Sequence, residues 1–574
     1  MFNRIVNIAL STKNRIRGIH FGMWACLCIP TLIAGYFAFN PITTIAERGA
    51  ANLLLVVILY YFSTAHLLNK RFRMIGAFVI SSSCFIFSLV EAGCFYMTGD
   101  TFDFRFFYHF NLSTMLHGGF AVFKWQLFLG AILVITMIIA FYYACRYTVS
   151  ALSKSIPAKR TIKGTLARIG IGAAFGCSYL LCCDLPVATY LKQALNLTDT
   201  SVIQYTRGDL DACGIAADVV SKDQLEATPG KNLVFIYLEG YDSVFVNNPN
   251  YPELSPNISR LLATEATSFT NVEQAPYANF TLGGMFASMT GSVLTKFHVF
   301  KDASRVTVGT VKDMNRNYVH SFGDQLLAMP NVLHKAGYYQ VFAMAADKEF
   351  GGTDCFLNNK GFDEILQSED FTPYIGKQAN SGWGVYDQAL FDFAYLKFVE
   401  LSKRGKPFNL TLATADTHAP VSQLPPNCIS YGDGKDLLMS AVHNDDQIIE
   451  RFINRLKQLP AWKDTVVVFV SDHYNPESRI AKANPSVKRR LVFFALNAGD
   501  QKVIDTPAAT FDVAPTILDL LTVKHNYRFP LGQSLLQANP DARRLTWNKH
   551  KRRVWEAHCH KNTSAKIQAT FATK

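Results

Sequence analysis

Five apolar runs crowd the first third of this 574-residue chain and restrict what it can fold into. They cover about residues 21–40, 49–69, 74–97, 122–145 and 169–185. Each is near the ~20 residues that cross a ~30 Å hydrocarbon core as a helix. The fifth is the weakest, because Gly is frequent in it and Asp184 follows Leu181-Cys182-Cys183. Any one run also suits a buried core helix, but five in series with short loops read as membrane spans.

Loop charge sets their direction. Arg4, Lys13, Arg15 and Arg17 precede the first run, and Lys70, Arg71 and Arg73 lie between the second and third. Arg146, Lys154, Lys159, Arg160, Lys163 and Arg168 lie between the fourth and fifth. The alternate loops hold only Arg48, Arg105 and the boundary residue Lys124 among basic residues, beside Glu47, Asp100 and Asp103. Thirteen basic residues against three place the N-terminus in the cytoplasm and everything after about residue 190 outside. The first run is too long, and too far from a small-residue cleavage site, for a cleaved signal peptide.

This division also explains the formal charge of +12. Residues 1–185 carry 16 Lys+Arg and 5 Asp+Glu, so nearly all of the excess belongs to the membrane third. A nucleic-acid surface is therefore not expected. The aromatic segment Phe102–Phe110 suits either an interfacial helix or a loop packed on the outer domain. Eight of twelve cysteines fall in the apolar third; Cys213, Cys355, Cys428 and Cys559 are outside, too widely spaced to identify pairs.

From residue 231 the pattern becomes α/β. Strands are expected at 231–238, 339–344, 408–414, 465–471 and 491–496, with helix-period stretches at 385–402 and 439–458 between them. Such alternation predicts a mostly parallel sheet covered on both faces. Ligands of open α/β sheets sit beyond the carboxyl ends of the strands. There the chain places Glu239, the run Asp416-Thr417-His418, and Ser471-Asp472-His473. Thr281, within Phe280-Thr281-Leu282-Gly283-Gly284, falls where a loop feeds a helix N-terminus that favours an anion.

A carboxylate, an Asp-His pair and a hydroxyl can hold one divalent metal, which would lower the hydroxyl's pKa and orient a phosphoryl group. A threonine hydroxyl needs such activation to act as a nucleophile, and His418 is suited to bind a phosphoryl oxygen or protonate a leaving alkoxide. Taken singly, each residue also fits a loop hydrogen bond, a helix N-cap or a solvated strand end. Their joint placement carries the site.

In order along the chain, these motifs resemble the alkaline-phosphatase/sulfatase superfamily, specifically its membrane-anchored phosphoglycerol transferases. The resembling segments include Asn232–Glu239, Leu254–Asn257, Phe280–Ser288, Asp354 with Gly361–Asp363, Trp383–Asp387, Thr411–His418, Val466–His473 and Asp512–Leu520. The resemblance covers about residues 230–535 and implies a C-terminal alkaline-phosphatase-like (sulfatase-like) α/β domain behind an N-terminal five-helix transmembrane domain. It implies that Glu239, Thr281, Asp472 and His473 bind one divalent ion, manganese or magnesium with zinc as an alternative. Thr281 would be the nucleophile and His418 the substrate-binding histidine. The donor implied is a membrane phospholipid, phosphatidylglycerol, and the acceptor an envelope glycan, at the bacterial inner membrane with the catalytic domain periplasmic. Three positions depart from relatives: Gly240 replaces a usual Ser, Thr290 replaces a Cys, and the Trp and Arg of the lipoteichoic acid branch are missing around 350–354.

The domain reading is 1–190 membrane, 191–230 linker, 231–539 catalytic, and 540–574 a basic tail expected to be solvated. Rival functions are a phosphoethanolamine transferase, a phospholipid headgroup hydrolase and a non-catalytic, lipid-binding envelope regulator. The first lacks its Glu-Thr-Ser-Arg run after the first strand. A true sulfatase is disfavoured because no Cys/Ser-x-Pro-x-Arg occupies the nucleophile position.

Overall fold

The computed structural model describes residues 206–559, apart from 217–219, 252, 295–325, 349–351, 380, 419–421, 427, 477–487 and 549. It also describes scattered helical positions between 71 and 146. The chain divides into two compact units, one formed by 1–106 with 123–200 and the other by 107–122 with 201–574. The five expected spans and the aromatic segment at 102–110 lie, but for those scattered positions, outside the described residues. Among the described residues no helix is long and apolar enough to cross a membrane.

The second unit is built on one eight-stranded sheet. In chain order its strands are β1 (Asn232–Leu238), β2 (Thr267–Phe269), β3 (Tyr339–Met344), β4 (Glu364–Leu366), β5 (Phe408–Ala413), β6 (Thr465–Ser471), β7 (Phe493–Leu496) and β8 (Lys502–Ile504). They lie side by side as β8-β2-β7-β6-β1-β5-β3-β4. All pairings are parallel except those of β7, which runs antiparallel to both β2 and β6. Every residue of β5 and β6, and all of β1 after Asn232, is buried. Burial at successive positions means that both faces are covered, as expected for near-continuous apolar strands such as Val466-Val467-Val468-Phe469-Val470.

The helices used below are α1 (Arg207–Ala212), α2 (Pro256–Thr264), α3 (Thr281–Thr290), α4 (Met329–Lys335), α5 (Asp387–Ser402), α6 (Leu437–Lys457) and α7 (Val513–Leu520). They form two packing groups: α2, α5 and α6 in one, α3, α4 and α7 in the other. The strand register levels the carboxyl ends. Leu238 pairs with Ser471 and Tyr237 with Ala413, so Glu239, Thr414 and Asp472 leave the sheet along one edge.

The tail is where the structure departs from the sequence reading. Residues 541–559 are folded onto the catalytic unit, not free in solvent: Val554, Trp555 and Cys559 share a buried cluster with Leu210, Cys213 and Ile215 beside α1. Trp555 donates through Nε1 to the Val293 carbonyl at 3.3 Å. Two of the basic residues find their hydrogen-bond partners internally. Arg544 makes a two-point contact with Asp512 (3.0 and 3.1 Å), both side chains being 1% exposed, and Lys551 donates to the carbonyls of Arg543 and Arg544 at 2.9 and 2.7 Å. Charge count read this segment as solvated because backbone carbonyl partners leave no mark in composition. The linker contributes α1, started by a capping box in which Thr206 and Asp209 bond each other's amides. Cys213 and Cys428 are free thiols.

Candidate active site and metal centre

Glu239, Asp472 and His473 converge beyond the ends of β1 and β6. Their ligand atoms lie within 4.8 Å of one another and all three residues are buried. His473 Nε2 is 3.3 Å from Glu239 Oε1 and 3.4 Å from Asp472 Oδ2. The other ring nitrogen, Nδ1, lies 2.9 Å from the Tyr474 carbonyl. A carbonyl can only accept, so Nδ1 carries a hydrogen and Nε2 is the ring nitrogen that faces the carboxylates; their charge favours a proton there, which a bound metal would displace.

Thr281 joins this group from α3. Its hydroxyl donates to Glu239 Oε2 at 3.1 Å. Thr281 is the first helical residue, and the N-cap Phe280 is extended with no side-chain cap, so the amide end of a ten-residue helix lies at the hydroxyl. The helix is brought there by its glycines. A Cβ on Gly284 would come within 2.1 Å of the Asp472 carbonyl oxygen, so only glycine lets α3 approach the Asp472 turn this closely. Tyr237 on β1 fixes the same helix through a 2.7 Å hydroxyl contact with Ser288.

The backbone of Glu239 is held from the β5 side. Its amide donates to Thr414 Oγ1 at 2.9 Å, and the Thr417 hydroxyl donates to its carbonyl. Gly240, which donates to Asp472 Oδ1 at 2.8 Å, has φ of +50°, where a side chain would be strained and would meet Asn475 Nδ2 at 3.1 Å. Glycine suits this backbone position. His418 stands nearby with its ring 4.2 Å from that of Trp383. The sequence reading names Trp383 and Thr417 only as parts of motifs and gives Thr414 no role. The Thr-x-x-Thr spacing after β5 was the available signal.

The electrostatics fit a cation. Burial opposes ionisation of Glu239, but the charges of His418 and His473 outweigh it and hold the carboxyl down at about 2. Burial and the Glu239 charge push Asp472 up to about 8. For His473 burial acts downward, yet Asp472 and Glu239 raise it to about 10. Asp472 Oδ2 is buried without a hydrogen-bond partner among the described residues. Two carboxylates, an imidazole and a hydroxyl, with one carboxylate oxygen unmet, form a donor set that can bind a divalent metal.

Fold and site together define an enzyme-like α/β domain in which Glu239, Asp472 and His473 converge at the sheet's carboxyl edge, and the comparisons agree in class. The Sulfatase family matches residues 231–523, just over half of the chain, and the chain belongs to that family. Among curated relatives it is similar to "Phosphoglycerol transferase I" of Escherichia coli O127:H6 (strain E2348/69 / EPEC), 32% identical over 344 residues, 57% of this chain and 43% of the relative. The match thus spans under half the length of the curated relatives. Among solved structures it is similar to a protein of the alkaline phosphatase superfamily from Vibrio parahaemolyticus, with a TM-score of 0.47 and 21% identity over 59% of this chain and 81% of the other. It is also similar to the integral membrane protein lipooligosaccharide phosphoethanolamine transferase A from Neisseria meningitidis, with a TM-score of 0.46 and 13% identity over 89% and 95%.

Proposed function

We propose that this chain transfers a phosphoglycerol group from a membrane glycerophospholipid to an envelope glycan, using Thr281 as nucleophile. The observation that carries the reading is the 3.1 Å contact of the Thr281 hydroxyl with Glu239 at the head of a buried helix, beside Asp472 and His473. Similarity to relatives named for phosphoglycerol transfer supports the choice of transferred group. A divalent cation held by Glu239, Asp472, His473 and Thr281 would lower the pKa of the hydroxyl and offset charge on the phosphoryl oxygens.

The residues divide the work as follows. Thr281 Oγ attacks the phosphorus of phosphatidylglycerol as its hydrogen passes towards Glu239, the acceptor it already faces. The bond to diacylglycerol breaks, and the leaving alkoxide takes a proton from His418, leaving glycerophosphoryl-Thr281. A glycan hydroxyl then attacks the same phosphorus and gives its proton to His418, while the bond to Thr281 breaks and Thr281 Oγ takes back the hydrogen held at Glu239. The α3 amides favour the phosphoryl charge in both steps. The membrane third, residues 1–190 read as five spans with the N-terminus cytoplasmic, would keep the catalytic domain on the lipid surface, with 231 onward outside the bacterial inner membrane.

The test is diacylglycerol release by the full chain in phosphatidylglycerol vesicles, with and without glycan. Metal-dependent release that Thr281→Ala abolishes, with phosphoglycerol recovered on glycan, is expected. Glycerol phosphate freed into water would make the enzyme a hydrolase. Equal release by wild type and Thr281→Ala would remove the basis of the reading.

A further inference from the structure

A second cluster of carboxylates lies behind the His418 turn and takes no part in the chemistry above. Asp387 opens α5, Asp416 follows β5, and Asp445 lies within α6; none is more than 1% exposed. One oxygen from each falls within 4.8 Å of the others. Asp387 is occupied by backbone, accepting from the amides of Ala415 (2.8 Å) and Asp416 (2.9 Å). Asp416 Oδ2 accepts from the Asp387 amide at 3.0 Å. Asp416 Oδ1 and both oxygens of Asp445 remain buried with no hydrogen-bond partner among the described residues.

Three unmet carboxylate oxygens within one small buried volume are costly unless something positive meets them. No Lys or Arg among the described residues pairs with any of the three. We propose that Asp387, Asp416 and Asp445 bind a second divalent cation, distinct from the one assigned to Glu239, Asp472 and His473. An all-carboxylate donor set suits the oxygen-preferring ions, calcium, magnesium or manganese. The ion would join α5, α6 and the turn that carries His418, since Asp416 stands two residues before His418 and Asp387 already holds the amides of 415 and 416. Its role is positioning: it fixes the turn without touching substrate. Protons are the competing occupants.

The experiment counts metal. The full chain, stripped with chelator and dialysed against Mn²⁺ or Ca²⁺, is analysed for bound ion as wild type, Asp445→Leu and Glu239→Gln. Leucine matches aspartate in size and offers no ligand. The expected result is two ions in the wild type with either metal or with one of them, and one in Asp445→Leu. No ion in the wild type, or a count that Asp445→Leu leaves unchanged, overturns the proposal. Should Asp445→Leu not fold, Glu239→Gln decides, since one retained ion supports the second site and none overturns it. Failure of the catalytic reading shows separately, as metal content unchanged in Glu239→Gln.

Discussion

Replacing Gly284 with alanine changes no reacting atom, yet it should disable the site. The added Cβ would lie 2.1 Å from the Asp472 carbonyl oxygen and 2.7 Å from its carbon, both backbone atoms that cannot rotate away. Ordinary Cβ contacts start near 3.4 Å, so α3 and the Asp472 turn must separate by about 1.3 Å. Overpacking of this kind costs ~1–3 kcal/mol, from which the helix preference for Ala over Gly recovers up to ~1. A net destabilisation of about 1–2 kcal/mol leaves the protein folded. The same shift acts on the 3.1 Å contact of Thr281 with Glu239, and a ~1 Å misplacement of reacting groups lowers rates ~100-fold. The assay is diacylglycerol release from phosphatidylglycerol vesicles, paired with thermal unfolding. Gly208→Ala is the control: it lies in α1, its nearest neighbour would be Thr206 Oγ1 at 3.5 Å, and it should gain a fraction of a kcal/mol with unchanged turnover. Wild-type turnover and stability in Gly284→Ala would refute the argument that close approach of α3 assembles the site.

Further outcomes concern the C-terminal segment. Arg544→Met leaves Asp512 buried without its cation and should cost ~3–5 kcal/mol, read as a large fall in unfolding temperature; a change of under a degree would mean the segment does not contribute to the catalytic unit. Burial pushes Lys551 down to about 8, whereas the unfolded chain titrates near 10.5. Between those values the unfolded state binds more protons, so wild-type stability should climb with pH there relative to Lys551→Met, and the difference between the two should be flat below pH 7.

Much of the catalytic core is legible because central strands are long and apolar. Tyr339–Met344 and Thr465–Ser471 fall at the expected residues, and Phe408–Ala413 ends one residue early. The three strands of the eight-stranded sheet that were missed, Thr267–Phe269, Glu364–Leu366 and Lys502–Ile504, are three residues each, too short for any periodicity to register. Glu239, Thr281, Asp472 and His473 could be found because each sits at a strand end or helix start, where ligands of such sheets gather. The carboxylates Asp387, Asp416 and Asp445 could not, since they come from three separate segments and only the packing of α5 on β5 and of α6 on α5 brings them together. The folded tail was hidden for a related reason: Arg544 and Lys551 look solvated until Asp512 and two carbonyls are seen beneath them.

The central claim is a covalent intermediate on one residue. It is tested most directly by incubating the full chain with phosphatidylglycerol and metal but no glycan, then quenching in acid and mapping peptides by mass spectrometry. The account predicts a glycerophosphoryl group on the peptide containing Thr281, absent in Thr281→Ala and discharged on adding glycan. Turnover with no adduct at any time, or an adduct on another residue, would contradict it.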